Sequence, residues 1–165
     1  MAGPHTLAET ERAVQTRLAG MDLDFEAMAI VSNLFRAANA VRNHLEGSVL
    51  RPHDLTWTAF VVLWVTWIWE PIETRQIANE GGFSRATLSG VLTTLEGRGF
   101  VKRERSDTDG RLVLVRLTPA GRRLMKRLFP LFNEQERALV ASIPERRRAE
   151  AADRLRLLTI TANGG

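Results

Sequence analysis

Two groups of side chains in this 165-residue chain are suited to holding a polyanion. The first comprises Thr74, Arg75 and Gln76, and then Ser84, Arg85 and Thr87. Each set opens a short helical pattern, where free N–H groups and the helix dipole favour phosphate. The second is the stretch from Arg98 to Arg127, with ten basic residues against three acids (Glu104, Asp107 and Asp109), a surplus of +7. The whole chain carries 23 Lys+Arg against 19 Asp+Glu, a net +4, so everything outside that stretch sums to −3. One basic patch on a near-neutral body implies a local polyanion contact rather than general stickiness. Within it, Asp109 stands two residues before Arg111 and can fix its guanidinium or the turn. Lys102, Arg103 and Arg105 are expected to add phosphate contacts, which position a duplex without specifying its sequence. Arg116, Arg122, Arg123, Lys126 and Arg127 are expected to form a solvated face.

Other chemistries fit poorly. The absence of cysteine excludes disulfides, thiolate metal sites and cysteine nucleophiles. Gly82-Phe-Ser-Arg-Ala86 approaches the nucleophile elbow of hydrolases, but that motif needs a preceding strand and a later histidine. All three histidines (His5, His44 and His53) precede Ser84. Asp107-Thr-Asp-Gly110 resembles part of a calcium loop but lacks the closing glutamate. His44, Glu46, His53 and Asp54 lack diagnostic metal-ligand spacing. No catalytic residue, metal or cofactor is therefore expected. The opening residues lack a basic segment followed by an apolar one. The longest uncharged run, Leu55 to Trp69, is 15 residues, short of the roughly 18–20 that a spanning helix needs. A cytoplasmic protein without a membrane partner is expected.

The elements that position these groups follow from periodicity. Residues 1–21 form a polar lead-in with weak helical character. From Asp24 to Leu45, Ala27, Ile30, Val31, Leu34, Ala38, Val41 and Leu45 form one apolar stripe, and Phe25, Met28 and Phe35 a second. Two apolar faces imply a helix sandwiched between partners. Gly47 to Asp54 is expected to be a break. Leu55 to Trp69 is too long for a typical strand and opens on Thr56, a good N-cap, so a buried helix is predicted over a strand. A short helix from Glu73 to Glu80 ends at Gly81-Gly82. Ser84 then caps a second helix, Arg85 to Arg98, with Leu88, Val91, Leu92 and Leu95 inward. Its outer face is small and polar: Ala86, Gly90, Thr93 and Gly97, flanked by Ser89 and Thr94. Small side chains let a helix approach base edges, and threonine methyls can meet a thymine methyl.

Helix, glycine-containing turn and helix are the ingredients of a helix-turn-helix. Strand-like Phe100–Arg105 and Arg111–Leu117 flank a turn at Ser106-Asp-Thr-Asp-Gly110, predicting a β-hairpin. Thr118 and Pro119 should start a helix running to about Ala141, kinked at Pro130. Ser142-Ile-Pro-Glu145 has the capping-box pattern and should open a last helix to about Ile160. Residues 163–165 should fray. The fold class is thus mainly α with a small β-hairpin wing, a winged helix-turn-helix lobe beside a helical dimerisation lobe. The expected divisions are 1–21 (N-terminal extension), 22–54 (dimerisation helix and linker), 55–117 (winged lobe), 118–162 (dimerisation helices) and 163–165 (tail).

One set of motifs resembles a known family. Leu55-Thr-Trp-Thr-Ala-Phe, Ile77-Ala, Ser84-Arg-Ala-Thr-Leu-Ser, Leu95-Glu-Gly-Arg-Gly-Phe-Val, Asp107-Thr-Asp-Gly-Arg and Leu117-Thr-Pro-Ala-Gly-Arg occur in order. Their spacing resembles the MarR-type transcription regulators over the central two-thirds of the chain. The resemblance implies a homodimer on a pseudo-palindromic operator in double-stranded DNA, released or altered by a small ligand. It also implies that Arg111 enters the minor groove, where A·T-rich narrowing deepens the negative potential. Two departures stand out: Gly90 and Thr94 occupy positions where many relatives carry arginine, and the helix over 55–69 is rich in tryptophan.

The expected DNA contacts are therefore Thr74, Arg75, Gln76, Ser84, Arg85, Ala86, Thr87, Ser89, Gly90, Thr93, Arg105, Asp109 and Arg111. Tryptophans on one helix are more often core than pocket. Trp57, Trp64 and Trp67 could nevertheless line the family's inducer crevice, where, with His44, an aromatic or phenolic anion would fit. The outer helices carry more apolar surface than a DNA module can cover (Phe25, Met28, Phe35, Leu124, Leu128, Leu131, Phe132, Leu155 and Leu158), predicting a large obligate-type dimer interface. A ligand-independent architectural winged-helix protein is the alternative.

Overall fold

The computed structural model describes residues 5–164. The first four residues of the expected lead-in and the last residue of the expected tail lie outside the described residues. The chain divides into two compact units, Met1–Asn43 and His44–Gly165.

In the first unit the lead-in is a full helix, α1 (Leu7–Arg17), because Thr6 and Glu9 form a reciprocal capping box. Glu9 donates its N–H to Thr6 Oγ1 at 3.2 Å, and the Thr6 N–H reaches Glu9 Oε2 at 2.7 Å. Helix α2 spans Phe25–Leu45, and its first turn is satisfied by Asp24 Oδ1, which accepts from the Ala27 N–H. Asn33 donates to Glu11 Oε1 at 2.7 Å, tying α2 to α1. Along α2, Ile30, Val31 and Phe35 are exposed, Phe35 to 67%.

The second unit corrects the expected break after Leu45. The chain stays wound, as a π-helical turn over Glu46–Leu50 and a 3-10 turn over Arg51–His53. The reason is packing: Val49 and Leu50 face the core, which outweighs Gly47 as a breaker. The winding ends at Asp54, whose φ of 54° is left-handed. Helix α3 (Trp57–Trp69) is capped by Thr56 Oγ1, which accepts from the Ala59 N–H, and buries Phe60, Val62, Leu63 and Val65. Strand β1 (Ile72–Glu73) was not anticipated, since two residues carry no periodicity. Helix α4 (Thr74–Gly81) ends on Gly82 at φ +65°, and α5 (Arg85–Gly97) follows. Strands β2 (Val101–Arg105) and β3 (Val113–Leu117) form the wing. The antiparallel sheet has the order β1-β3-β2, with Ile72 opposite Val115 and Arg103 opposite Val115 on the other side.

Helix α6 (Pro119–Leu139) is capped by Thr118, has Pro at its first position as expected, and continues through Pro130. Gly121 on its first turn lies against the Phe100 carbonyl, and a Cβ there would sit 3.0 Å from the carbonyl carbon and overlap its oxygen. Helix α7 (Glu145–Ala162) corrects the expected capping box: its N-cap is Pro144, with no side-chain cap. Ser142 belongs instead to the turn closing α6, where the Ile143 N–H reaches Val140 O. The core of this unit gathers Leu50 from the turn over Glu46–Leu50 and Leu63, Ile77, Leu92, Leu95, Val115, Leu117, Met125 and Leu128 from α3 to α6 and the sheet. Leu124, Leu128 and Phe132, expected at a dimer interface, are buried within this core instead.

Candidate nucleic-acid interface

Helix α5 turns Leu88, Leu92 and Leu95 inward. Arg85, Ala86, Ser89, Gly90, Thr93 and Thr94 are consequently all exposed. Ser84 Oγ accepts the Thr87 N–H at 3.0 Å and shares a hydrogen bond with Thr87 Oγ1 at 2.8 Å. These two hydroxyls close the helix start on each other. Thr94 donates its hydroxyl back to Gly90 O at 3.1 Å, which leaves its methyl outward. Nothing lies within 4 Å of a Cβ built at Gly90. Between Ala86 and Gly97 the outer face holds no long polar side chain except Glu96. This surface can approach a base edge closely and meet it with methyls and hydroxyls.

The start of α4 is organised by Glu73. Its own N–H is accepted by Gln76 Oε1 at 3.2 Å, and its Oε2 accepts from Arg75 Nε at 2.7 Å. Arg75 and Gln76 are both exposed, whereas Thr74 is half-buried. An open groove of about 400 Å³ runs between these elements and the wing. Thr74, Arg75, Arg85, Ser89, Arg103 and Arg111 line it above Leu88 and Leu92.

At the wing tip, Asp109 Oδ1 accepts from the Arg111 N–H at 3.0 Å and from its Nε at 3.1 Å, and Oδ2 accepts from Nη2 at 3.2 Å. The guanidinium is thereby aimed while staying 91% exposed. These side-chain and backbone hydrogen bonds from Arg111 hold the Asp109 carboxyl below the ordinary aspartate range. Arg105 is exposed at the end of β2.

The other wing cations depart from expectation. Arg103, expected on phosphate, is bound by Glu96: the Arg103 N–H reaches Oε1 at 3.0 Å and its Nε reaches Oε2 at 2.9 Å, with Nη2 beside it. Those bonds, the side-chain ones foremost, lower the Glu96 carboxyl below its usual value. Lys102 pairs with Glu104, which Arg116 also approaches at 3.5 Å. Arg122, expected in a solvated face, clasps Glu70 through Nε at 2.9 Å and Nη2 at 2.8 Å. Arg98 donates to the carbonyls of His53 and Asp54 and lies 4.9 Å over the Phe100 ring. Glu70, Glu96 and Arg98 escaped the sequence reading. Arg98 and Glu70 take their partners from 44 to 52 residues away, and no local pattern announces that. Glu96 and Arg103 are only seven apart, and their opposite charges across a helix-to-strand turn were an available signal.

The candidate ligand residues lie along one side of α6. Trp64 stacks on Phe129 at 4.5 Å with rings 9° apart, and Trp67 meets the same ring edge-on at 6.0 Å. Trp57 lies 6.3 Å from Phe132, and His44 Nε2 is 2.9 Å from Gln135 Oε1. Phe129, Phe132 and Gln135 follow each other at helical spacing, so the four candidates share one seam. All three tryptophans are half-buried and His44 is exposed.

Among the described residues no group of three or more His, Asp or Glu could hold a metal ion, and no helix is long and apolar enough to cross a membrane.

Comparison with known proteins agrees with this geometry. The MarR family model matches residues 55–113, from the start of α3 into β3. A Bacillus subtilis protein described as the uncharacterized HTH-type transcriptional regulator YwaE is 40% identical over 121 residues, 73% of this chain and 71% of that one. Among solved structures, BpsR of Bordetella bronchiseptica, whose DNA binding is regulated by 6-hydroxynicotinic acid, superposes with a TM-score of 0.70 at 25% identity, over 79% of this chain and 92% of that one. The MarR-family regulator AbsC of Streptomyces coelicolor shares the fold with a TM-score of 0.76 at 22% identity, covering 88% and 99% of the two chains. On sequence and architecture together, the chain belongs to the MarR family of winged helix-turn-helix, DNA-binding transcriptional regulators.

Proposed function

We propose that the protein is a repressor that binds a pseudo-palindromic operator as a homodimer and is released by a small aromatic acid. The observation that carries the DNA half of this reading is the groove of about 400 Å³, walled on one side by α5 and on the other by Arg111. Thr74, Arg75, Gln76, Ser84, Arg85 and Thr87 would hold phosphates. Ala86, Ser89, Gly90 and Thr93 would face base edges in the major groove, and Arg105 and Arg111, aimed by Asp109, would follow the backbone into the minor groove.

Pairing is supported by apolar surface that a monomer leaves in water. Ile30, Val31 and Phe35 on α2 are exposed, and so are Leu155, Leu157 and Ile160 on α7. Burying such faces at about 25 cal/mol per Å² is the main source of association energy in an obligate dimer. The release half rests on the aromatic seam, where a planar anion could stack against the indoles of Trp64 and Trp67, with His44 further along the same seam. BpsR, regulated by an aromatic acid, supports that ligand class.

The test is recovery of tight binders from a random duplex pool, followed by titration of the recovered duplex complex with benzoic, salicylic and hydroxynicotinic acids. Retention of inverted-repeat duplexes, and their release with a matching change in tryptophan fluorescence, is expected. Retention of all sequences alike would favour an architectural role. Retention of inverted repeats with no response to any acid would remove the ligand half.

A further inference from the structure

We propose that Glu96 is a positioning residue that sets the wing against the recognition helix, so that Arg111 reaches DNA only while Glu96 holds Arg103. The proposal rests on the reading above that Arg111 contacts the duplex.

The backbone explains why a carboxylate is needed there. With sheet order β1-β3-β2, β2 has one edge paired to β3 and one edge free. The Thr118 N–H bonds Phe100 O, and the Ser106 N–H bonds Leu112 O, so the even-numbered residues of β2 face β3. The Arg103 N–H must then point off the free edge, where it would otherwise be an orphan donor. Glu96 Oε1 accepts it at 3.0 Å. The second carboxylate oxygen takes the guanidinium of the same residue. One side chain on the last turn of α5 thus grips both the backbone and the side chain at the midpoint of β2.

Beyond Arg103 the wing is a cantilever. Arg105, the turn at 106–112 and Arg111 are held by β3 and by the bonds within the turn, such as Ser106 Oγ to the Asp109 N–H. A small rotation at Arg103 is therefore magnified at Arg111. Arg103 and Arg111 both line the groove that faces α5, so the same rotation changes its width. Two-point attachment resists that rotation where a single contact would act as a pivot.

The test is a double-mutant cycle on a duplex recovered by the wild type, with Glu96→Gln and Arg111→Ala made singly and together. In the wild type, Arg111→Ala should weaken binding at least about tenfold and lower the salt slope by about two, roughly one for each protomer of the dimer. In the Glu96→Gln background, Arg111→Ala should change affinity less than about twofold, because the guanidinium is already out of reach. Arg103→Lys keeps the backbone N–H but loses the planar fork, so it should give an intermediate coupling, and it carries the cycle should Glu96→Gln fail to fold. Full additivity, with Arg111→Ala costing the same factor and the same salt slope in every background, overturns the proposal while leaving DNA recognition intact. Failure of the wild type to retain any duplex would instead overturn the functional reading on which the proposal rests.

Discussion

Removing the Glu70 carboxylate should destabilise the fold by an amount that can be reckoned from its contacts. Glu70 lies just before β1, and its side chain is 14% exposed. Strand β1 pairs with β3 only as far as Ile72 opposite Val115. The next outward-pointing donor on β3, the N–H of the buried Leu117, therefore has no strand to meet. Glu70 Oε2 accepts it at 2.7 Å, and Oε1 takes the Arg122 guanidinium. In Glu70→Ala the Leu117 N–H becomes a buried unsatisfied donor, which costs about 1–3 kcal/mol. The lost ion pair adds under about 1 kcal/mol, since Arg122 is substantially exposed and screened. The total of about 1–4 kcal/mol corresponds to a Tm lower by roughly 3–12 °C for a chain of this size. Glu70→Gln keeps an oxygen for Leu117 and loses mainly the charge, so it should cost only about 1 kcal/mol. Circular dichroism melts of the three proteins at equal concentration decide the matter. An alanine variant melting with the wild type, or a glutamine variant as damaged as the alanine one, would refute the assignment of Glu70 as a stand-in for the missing strand.

Other consequences are as specific. Gly121→Ala should lower stability by about 1–3 kcal/mol, because the added methyl overlaps the Phe100 carbonyl oxygen, a backbone atom that cannot swing away; unchanged urea denaturation would show that α6 can shift freely. Asp109 should titrate below the ordinary aspartate value and move part of the way back towards it in Arg111→Ala, which removes the guanidinium bonds but keeps the backbone N–H of residue 111. Because the folded-state value is depressed, the Asp109–Arg111 contact is complete above the unfolded value and is lost as pH falls through the depressed one. Carboxyl carbon shifts in NMR would report this directly, and an identical midpoint in both proteins would count against the pairing.

Much of this architecture was legible because it depends on neighbours in sequence. Thr56, Ser84 and Thr118 cap the helices they precede, and the turn at 106–110 joins two strands, each through contacts within a few residues. The leucines of α5 fixed its inward face, and hence the exposed residues opposite. What stayed hidden was set by distant partners. The winding over 46–53 is held by Val49 and Leu50 entering the core, and β1 exists only because β3 lies beside it. Arg103 looks like a phosphate contact and Arg122 like a solvated cation until Glu96 and Glu70 arrive beside them from other elements. The capping-box pattern at Ser142 misled because the preceding turn of α6 claimed that residue first. The departures at Gly90 and Thr94 were visible as letters, but only the back-bonded Thr94 hydroxyl shows which part of that side chain faces outward.

The central claim is that two copies of α5 and of the wing touch one duplex at adjacent grooves. Methylation and phosphate-ethylation interference on a duplex recovered by the wild-type protein tests it most directly. The account predicts two equivalent clusters of major-groove interference with centres about 10–10.5 base pairs apart, each flanked by a minor-groove cluster that disappears with Arg111→Ala. A single asymmetric cluster, or flanking interference that persists without Arg111, would contradict it.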